Sequence, residues 1–393
     1  MLIITLFFIQ QNPLIQEMVN KVSPDTIIST IQRLQDFVTR YAPYDSCFAA
    51  ANWIFDKFTT YNLDSIYWDT FTLTPPVPAN VVGVKRGTVY PDSSYWIICG
   101  HFDATAGIAH RDSARGADDD ASGTAAVIEA ARILKDYHFE YSIRFVALSA
   151  EELGTIGSIY YAWRASQRLD DIRGTYNYDM IGYVDVRPES IDVCGDTFCE
   201  PLVDHFIACA DTYTNLLAVK KIGYVLGDEY NFQHWGYQAI GMIEDMPHVN
   251  PYYHTQADTI GAGFNDLTFC TEVTKAAVAA LASSSKPLSI EENTTPSSTA
   301  FHLIPYPNPF RDHFHVKVNN VALQKNPIMF KFYDAAGRLI KAFTLSISPS
   351  QRKIDFIWPG YDNLNRKLPS GLYILMMQNG AVHEIKKLIC INR

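Results

Sequence analysis

The feature of this sequence that most limits its fold is an alternation of strand-like and helix-like segments over residues 95–180. Apolar, β-rich runs at Tyr95–Cys99, Ile143–Ser149 and Thr175–Asp179 alternate with helical patterns at Ser122–Lys135 and Ile156–Ala165. A strand followed by a parallel neighbour needs a crossover, which a helix supplies, so this alternation predicts a parallel sheet. Trp96 to Cys99 and Ile143 to Leu148 are nearly continuous apolar runs, as expected where helices cover both faces. The expected class is α/β, a mainly parallel mixed sheet flanked by helices, followed by a small C-terminal β-sandwich.

The sandwich is read from six short β-type runs: Phe314–Val318, Ile328–Tyr333, Leu339–Leu345, Lys353–Ile357, Leu372–Met377 and Ala381–Ile391. Turn signals separate them at the spacing of sandwich strands. Before them SSSKPLSIEENTTPSSTA, residues 283–300, is rich in Ser, Thr and Pro and reads as an exposed linker. At the other end Ser23-Pro24 caps a helix whose apolar positions run from Ile27 to Tyr41, and a second helix is expected over Cys47–Thr59. Met1–Ile9, MLIITLFFI, is too short to cross a membrane; it is read as the core of an export leader, with a buried N-terminal strand as the alternative. The expected division is a leader at 1–22, a catalytic domain at 23–286, a linker at 287–302 and a sandwich at 303–393, with no stable membrane span.

Hydrophobic residues at 48% and charged residues at 19% exclude a disordered chain. A formal charge of -10 argues against a nucleic-acid partner, because phosphate binding needs a basic surface. Seven cysteines are too few for a disulfide scaffold. Cys194 and Cys199 bracket a four-residue loop and stand either as a disulfide or as separate thiols.

Histidines and carboxylates gather just past the strand ends, where open α/β sheets bind ligands. His101 and Asp103 follow the first strand. Asp118, Asp119 and Asp120 open a helix, Glu151 and Glu152 follow the second strand, Asp179 ends the third, and His254 lies downstream. Singly, such residues read as helix caps or solvated faces. Together, several carboxylates at one sheet edge repel one another unless a cation lies between them.

The segments GHFD, GADDDASG, AEELGTIGS, NYDMIG and YHTQAD within residues 95–262 resemble the dizinc aminopeptidases typified by bacterial leucyl aminopeptidases and aminopeptidases S and Y. The resemblance implies two zinc ions per catalytic domain: His101 and Asp179 on one, Glu152 and His254 on the other, and Asp119 bridging both. It leaves Glu151 as general base for a zinc-activated water, makes Asp103 and Asp258 groups that orient the metal-bound imidazoles, with a surface charge as the alternative for Asp258, makes Asp120 a supporting residue, and implies a cis bond between Asp119 and Asp120. Residues 223–240 align with the substrate-side loop of that family. Tyr224 is the candidate to stabilise the oxyanion, and Tyr230, Phe232 and Trp235 are candidates to line an apolar side-chain pocket, with core packing the expected role of at least one of them. Gly227-Asp228-Glu229 stands where the family often has Ser-Asp-His.

YPNPF at 306–310, FYDAAGRLIK at 332–341 and LPSGLYIL at 368–375 resemble a type IX secretion sorting domain, against the alternative of a carbohydrate-binding or spacer domain. These resemblances imply peptide substrates, a partner in bacterial outer-membrane secretion machinery, and a secreted or cell-surface location. Two other functions are weighed: a glutaminyl cyclase, which shares the fold and uses one zinc, and a non-catalytic secreted binding module. The complete five-ligand set and Glu151 favour hydrolysis.

Overall fold

The computed structural model describes residues 11–225, 227–244, 250–288, 302–319, 327–335, 337–345, 353–363, 366–379 and 382–391. The chain separates into two units, residues 1–290 and 291–393. The first carries helices α1 (Pro13–Asn20), α2 (Pro24–Gln35), α3 (Asp45–Thr60), α4 (Ala121–Leu134), α5 (Ile156–Arg168), α6 (Glu200–Tyr213), α7 (Glu229–His234) and α8 (Leu267–Ser285). Its strands are β1 (Ser65–Asp69), β2 (Asn80–Lys85), β3 (Tyr90–His101), β4 (His138–Phe139), β5 (Tyr141–Leu148), β6 (Asp171–Tyr178), β7 (Ser190–Gly195), β8 (Leu217–Ile222), β9 (Ala239–Glu244) and β10 (Pro287–Leu288).

Eight of these form one sheet in the order β1-β2-β5-β3-β6-β9-β7-β8. Its centre, β5-β3-β6-β9, is parallel, so the C-terminal ends of four strands share one edge. β2 and β7 join this centre antiparallel on either side. Side-chain alternation explains the unbroken apolar text of the central strands. On β5, Ile143, Phe145 and Ala147 enter the large core with α2, α3, α4, α6 and α8, whereas Val146 and Leu148 pack on the other face against Tyr161 and Ala162 of α5 and Phe232 of α7.

Three sequence expectations change. Residues 13–22, assigned above to the leader, belong to the folded unit: Asn12 caps α1, α1 packs against α8, and Ile15, Met18, Val19 and Val22 are buried. Met1–Ile9 lies outside the described residues. Helix α2 stops at Gln35 although the apolar spacing runs on to Tyr41, because Val38 takes φ 68° and turns the chain out of the helix. Pro287–Leu288, assigned to the linker, pair with β4 inside the first unit, and residues 289–301 lie outside the described residues.

The second unit has two antiparallel sheets. One contains β11 (His302–Tyr306), β12 (Phe314–Asn319) and β15 (Lys353–Trp358); the other contains β13 (Ile328–Asp334), β14 (Leu339–Leu345), β16 (Gly371–Asn379) and β17 (Val382–Cys390). They share one aromatic core in which Phe332 lies 3.8 Å from Trp358 and Phe314 packs on both. Sequence reading missed β11, whose Pro305 is compatible with its place on a sheet edge.

Helix α1 gives a direct stability test. Met18→Ala removes a side chain with no exposed surface and should destabilise the first unit by about 2–5 kcal/mol, read by denaturant unfolding. A change near zero would mean that α1 does not pack on the core.

Candidate metal centre

The parallel register brings the chemistry to one edge. His101 is the last residue of β3, paired with Leu148 of β5, and Glu151 and Glu152 follow in a short turn; Asp179 follows β6 directly. Three turns at this edge contain non-glycine residues in the left-handed region: Ala150 before the glutamates, Met180 after Asp179, and His254 itself. Such conformations persist where the surroundings enforce them. Asn80 helps to do so, accepting from the Ser149 amide and donating to the Gly157 carbonyl at 2.9 and 3.0 Å.

Two triads result, His101–Asp119–Asp179 and Asp119–Glu152–His254, with the donor atoms of each within 4.8 Å of one another. Asp119 belongs to both. Its Oδ1 lies 3.2 Å from His101 Nε2 and its Oδ2 lies 3.3 Å from His254 Nε2. His101 Nε2 is 3.6 Å from Asp179 Oδ1, and His254 Nε2 is 2.9 Å from Glu152 Oε2. His101 Nε2 and Asp119 Oδ2 are buried and have no hydrogen-bond partner. Buried polar atoms are rarely left so, and these two face a cluster of nitrogen and oxygen donors. The residues therefore fit a divalent cation on each side of Asp119, and the donor set suits zinc.

The surrounding carboxylates act mainly on backbone amides. Asp103 is fully buried and accepts from the amides of Glu151 and Glu152 at 3.0 and 3.2 Å, while its own carbonyl faces His101 Nδ1 at 3.1 Å. Asp120 accepts from the amides of His101, Gly123 and Met180, joining the end of β3, the start of α4 and the turn after Asp179. The Asp119–Asp120 peptide is cis. Asp258 departs from the expectation that it orients an imidazole. It accepts from the amides of Asp118 and Asp119, both at 3.0 Å, and thereby fixes Asp119.

The electrostatics record a surplus of buried negative charge. Burial, with Asp228, Asp179 and Glu152 adding to it, lifts Glu151 to about 9. Burial and Asp119 lift Glu152 to about 8. Burial opposes the charge on His254, but Asp119 and Glu152 outweigh it and raise that imidazole to about 10. Burial also favours the neutral form of Asp119, yet His101 and His254 hold its carboxyl below the usual range.

Of the candidates on the substrate side, Phe232 is fully buried in the core against Tyr161, with ring centroids 5.9 Å apart. A helix as short as α7 has too little periodicity for sequence to show which face turns inward. Tyr224 stands exposed beyond β8, and Tyr230 and Trp235 are exposed at α7. Two nearby residues were given no role by sequence reading. Asp228 is buried, accepts from the Ser158 hydroxyl, and has a second oxygen without a partner; burial raises it to about 7. The Tyr253 ring stacks on His254 at 3.7 Å. Cys194 and Cys199 are separate buried thiols.

Residues 80–278, about half of the chain, match Peptidase family M28, and residues 305–392 match a Secretion system C-terminal sorting domain. A "Probable zinc metalloprotease" of Pyrenophora teres f. teres is 32% identical over 190 residues, 43% of this chain and 41% of that protein. Leucine aminopeptidase 1 of Fusarium vanettenii is 30% identical over 257 residues, 59% of this chain and 63% of that protein. The chain thus spans 41% and 63% of the lengths of these two relatives. The fold resembles the Legionella pneumophila LapA aminopeptidase, with a TM-score of 0.64 and 22% identity over 72% of this chain and 78% of that one. It also resembles a Porphyromonas gingivalis glutaminyl cyclase, with a TM-score of 0.56 and 18% identity over 67% of this chain and 98% of that one, so fold alone does not select the chemistry.

The raised values of Glu152 and His254 predict proton release on cation binding. Without a cation both hold protons at pH 7, whereas ligation requires a carboxylate and a neutral imidazole. Zinc titration in buffers of differing ionisation heat should therefore show proton release at pH 7 that fades as the pH rises past about 10. Proton uptake at pH 7 would contradict this reading.

Proposed function

The chain belongs to peptidase family M28, and from that premise we propose that it is an exported zinc aminopeptidase holding two zinc ions. The observation that carries the reading is the pair of triads sharing Asp119. His101 and Asp179 would hold one ion, Glu152 and His254 the other, with Asp119 common to both groups. When bound, the ions supply the Lewis acidity that polarises the scissile carbonyl and brings the ionisation of a water near neutrality.

The remaining work belongs to side chains. Glu151 is in neither triad, and its position is fixed by the bond from its amide to Asp103. It takes a proton from the attacking water and returns it to the departing amine. The buried, unpartnered oxygen of Asp228 is an acceptor that suits the amino end of a peptide and disfavours its carboxylate end. Tyr224 stabilises the oxyanion, and Tyr230 and Trp235 contact the side chain of the first residue.

Peptide hydrolysis followed by mass spectrometry tests this reading. The protein should contain two zinc ions, shorten peptides from the amino end and stop on chelation. Glu151→Gln should keep both ions and lose turnover by about two to four orders of magnitude. One zinc with cyclisation of N-terminal glutamine would favour the cyclase reading, and shortening from the carboxyl end would overturn the aminopeptidase assignment.

The second unit is the address for export by a type IX system, with the outer-membrane machinery as partner. Among the described residues no helix is long and apolar enough to cross a membrane. All proposed ligands lie in the first unit, which ends after β10. A chain stopped after Ile290, which retains the β10–β4 pairing, should keep its peptidase activity but remain inside a host that has the matching export system. Normal export of that truncated chain, or loss of most activity in a folded, zinc-loaded form, would reject this division of labour.

A further inference from the structure

The first unit buries a complete arginine. Arg40 has no exposed surface and lies in the turn after α2, outside the segment that matches the family. Its Nε donates to the Phe102 carbonyl at 2.7 Å, its Nη2 to the Gly116 carbonyl at 2.7 Å, and its Nη1 to the Arg115 carbonyl. Its own amide donates to the Ala114 carbonyl at 3.0 Å, and the Ala104 amide donates to its carbonyl at 3.1 Å.

These partners fall on two segments. Phe102 lies between His101 and Asp103, whereas Arg115 and Gly116 lead directly into Asp118-Asp119-Asp120. A planar guanidinium presents donors in fixed directions, so it sets the separation of the carbonyls it joins. Gly116 takes φ +54° and has no room for a Cβ, which would lie 2.2 Å from the Asp119 carbonyl oxygen, 2.5 Å from the Ala104 Cβ and 2.9 Å from Arg40 Nη2. The side chains aimed from these two segments, His101 and Asp119, meet at 3.2 Å.

We propose that Arg40 is a positioning residue of the candidate metal centre, fixing the His101 and Asp119 segments at the separation that a cation between them requires. This rests on the two-zinc reading. The guanidinium hydrogen-bonds to backbone carbonyls, not to the side chains of the proposed ligands, and acts through the carbonyls it holds. Because its fork satisfies groups on both segments at once, a point charge such as lysine does not replace it.

The test compares full-length wild type, Arg40→Lys and Thr39→Val. Thr39 is a matched control: its hydroxyl donates to the Arg111 carbonyl at 2.6 Å in the same region but reaches neither ligand-bearing segment. Thermal unfolding, zinc affinity by chelator competition, kcat and KM are measured for each. Arg40→Lys should lower zinc affinity by about 10–100-fold, the range for outer partners of metal ligands, and lower kcat at limiting zinc with KM unchanged. Thr39→Val should lower the unfolding temperature alone. If both variants lose stability but keep wild-type zinc affinity and kcat, Arg40 is only structural and the proposal fails.

Should Arg40→Lys not fold, hydrogen exchange on the wild type decides. Zinc should slow exchange at the amides of Arg40 and Ala104, because the clamp and the centre are one unit; protection that stops short of these two amides overturns the proposal. A wild type that binds no zinc removes the two-zinc reading and this proposal with it. Zinc binding without an effect at Arg40 removes this proposal alone.

Discussion

The first unit is organised around a concentration of like charge. Asp103, Asp118, Asp119, Asp120 and Asp258 are buried close to one edge of a sheet whose interior is otherwise apolar. Desolvation makes each buried carboxylate costly unless it finds donors or a countercharge. Backbone amides meet most of that demand for Asp103, Asp120 and Asp258, whereas Asp119 lies between two imidazoles with one oxygen still unpartnered. A parallel sheet provides the place, since the turns after neighbouring strands come together with free amides at their bends.

This division explains what was legible in the sequence. The central strands were legible because burial on both faces leaves unbroken apolar text, and a histidine or acid at the end of such a run marks the sheet edge. His101, Glu151, Glu152 and Asp179 are of this kind. Asp258 was legible as a polar residue near His254, but which backbone atoms it meets depends on the path of a loop. Arg40 carries no signal of burial, because arginine is usually exposed and its partners are carbonyls that every residue possesses. Helix α1 was hidden by the apolar residues preceding it, and the inward turn of Phe232 by the brevity of α7.

The supporting carboxylates make the centre depend on segments far apart in the chain. Asp258 fixes the backbone of Asp118 and Asp119, and Asn250 donates to Asp118 at 2.9 Å from the loop that carries His254. Glu151 and Glu152 are placed by Asp103, which follows a different strand. Removing such a carboxylate leaves two buried amides without an acceptor, so its loss would disturb more than the residue it adjoins.

The cysteines bear on the route this protein travels. All seven are buried and unpaired, and burial is the leading cause that raises each thiol above its ordinary value. The thiolate is the form that reacts, and here it is both scarce and shielded. In a chain delivered from reducing to oxidising surroundings, sulfurs so placed are poorly exposed to capture on the way.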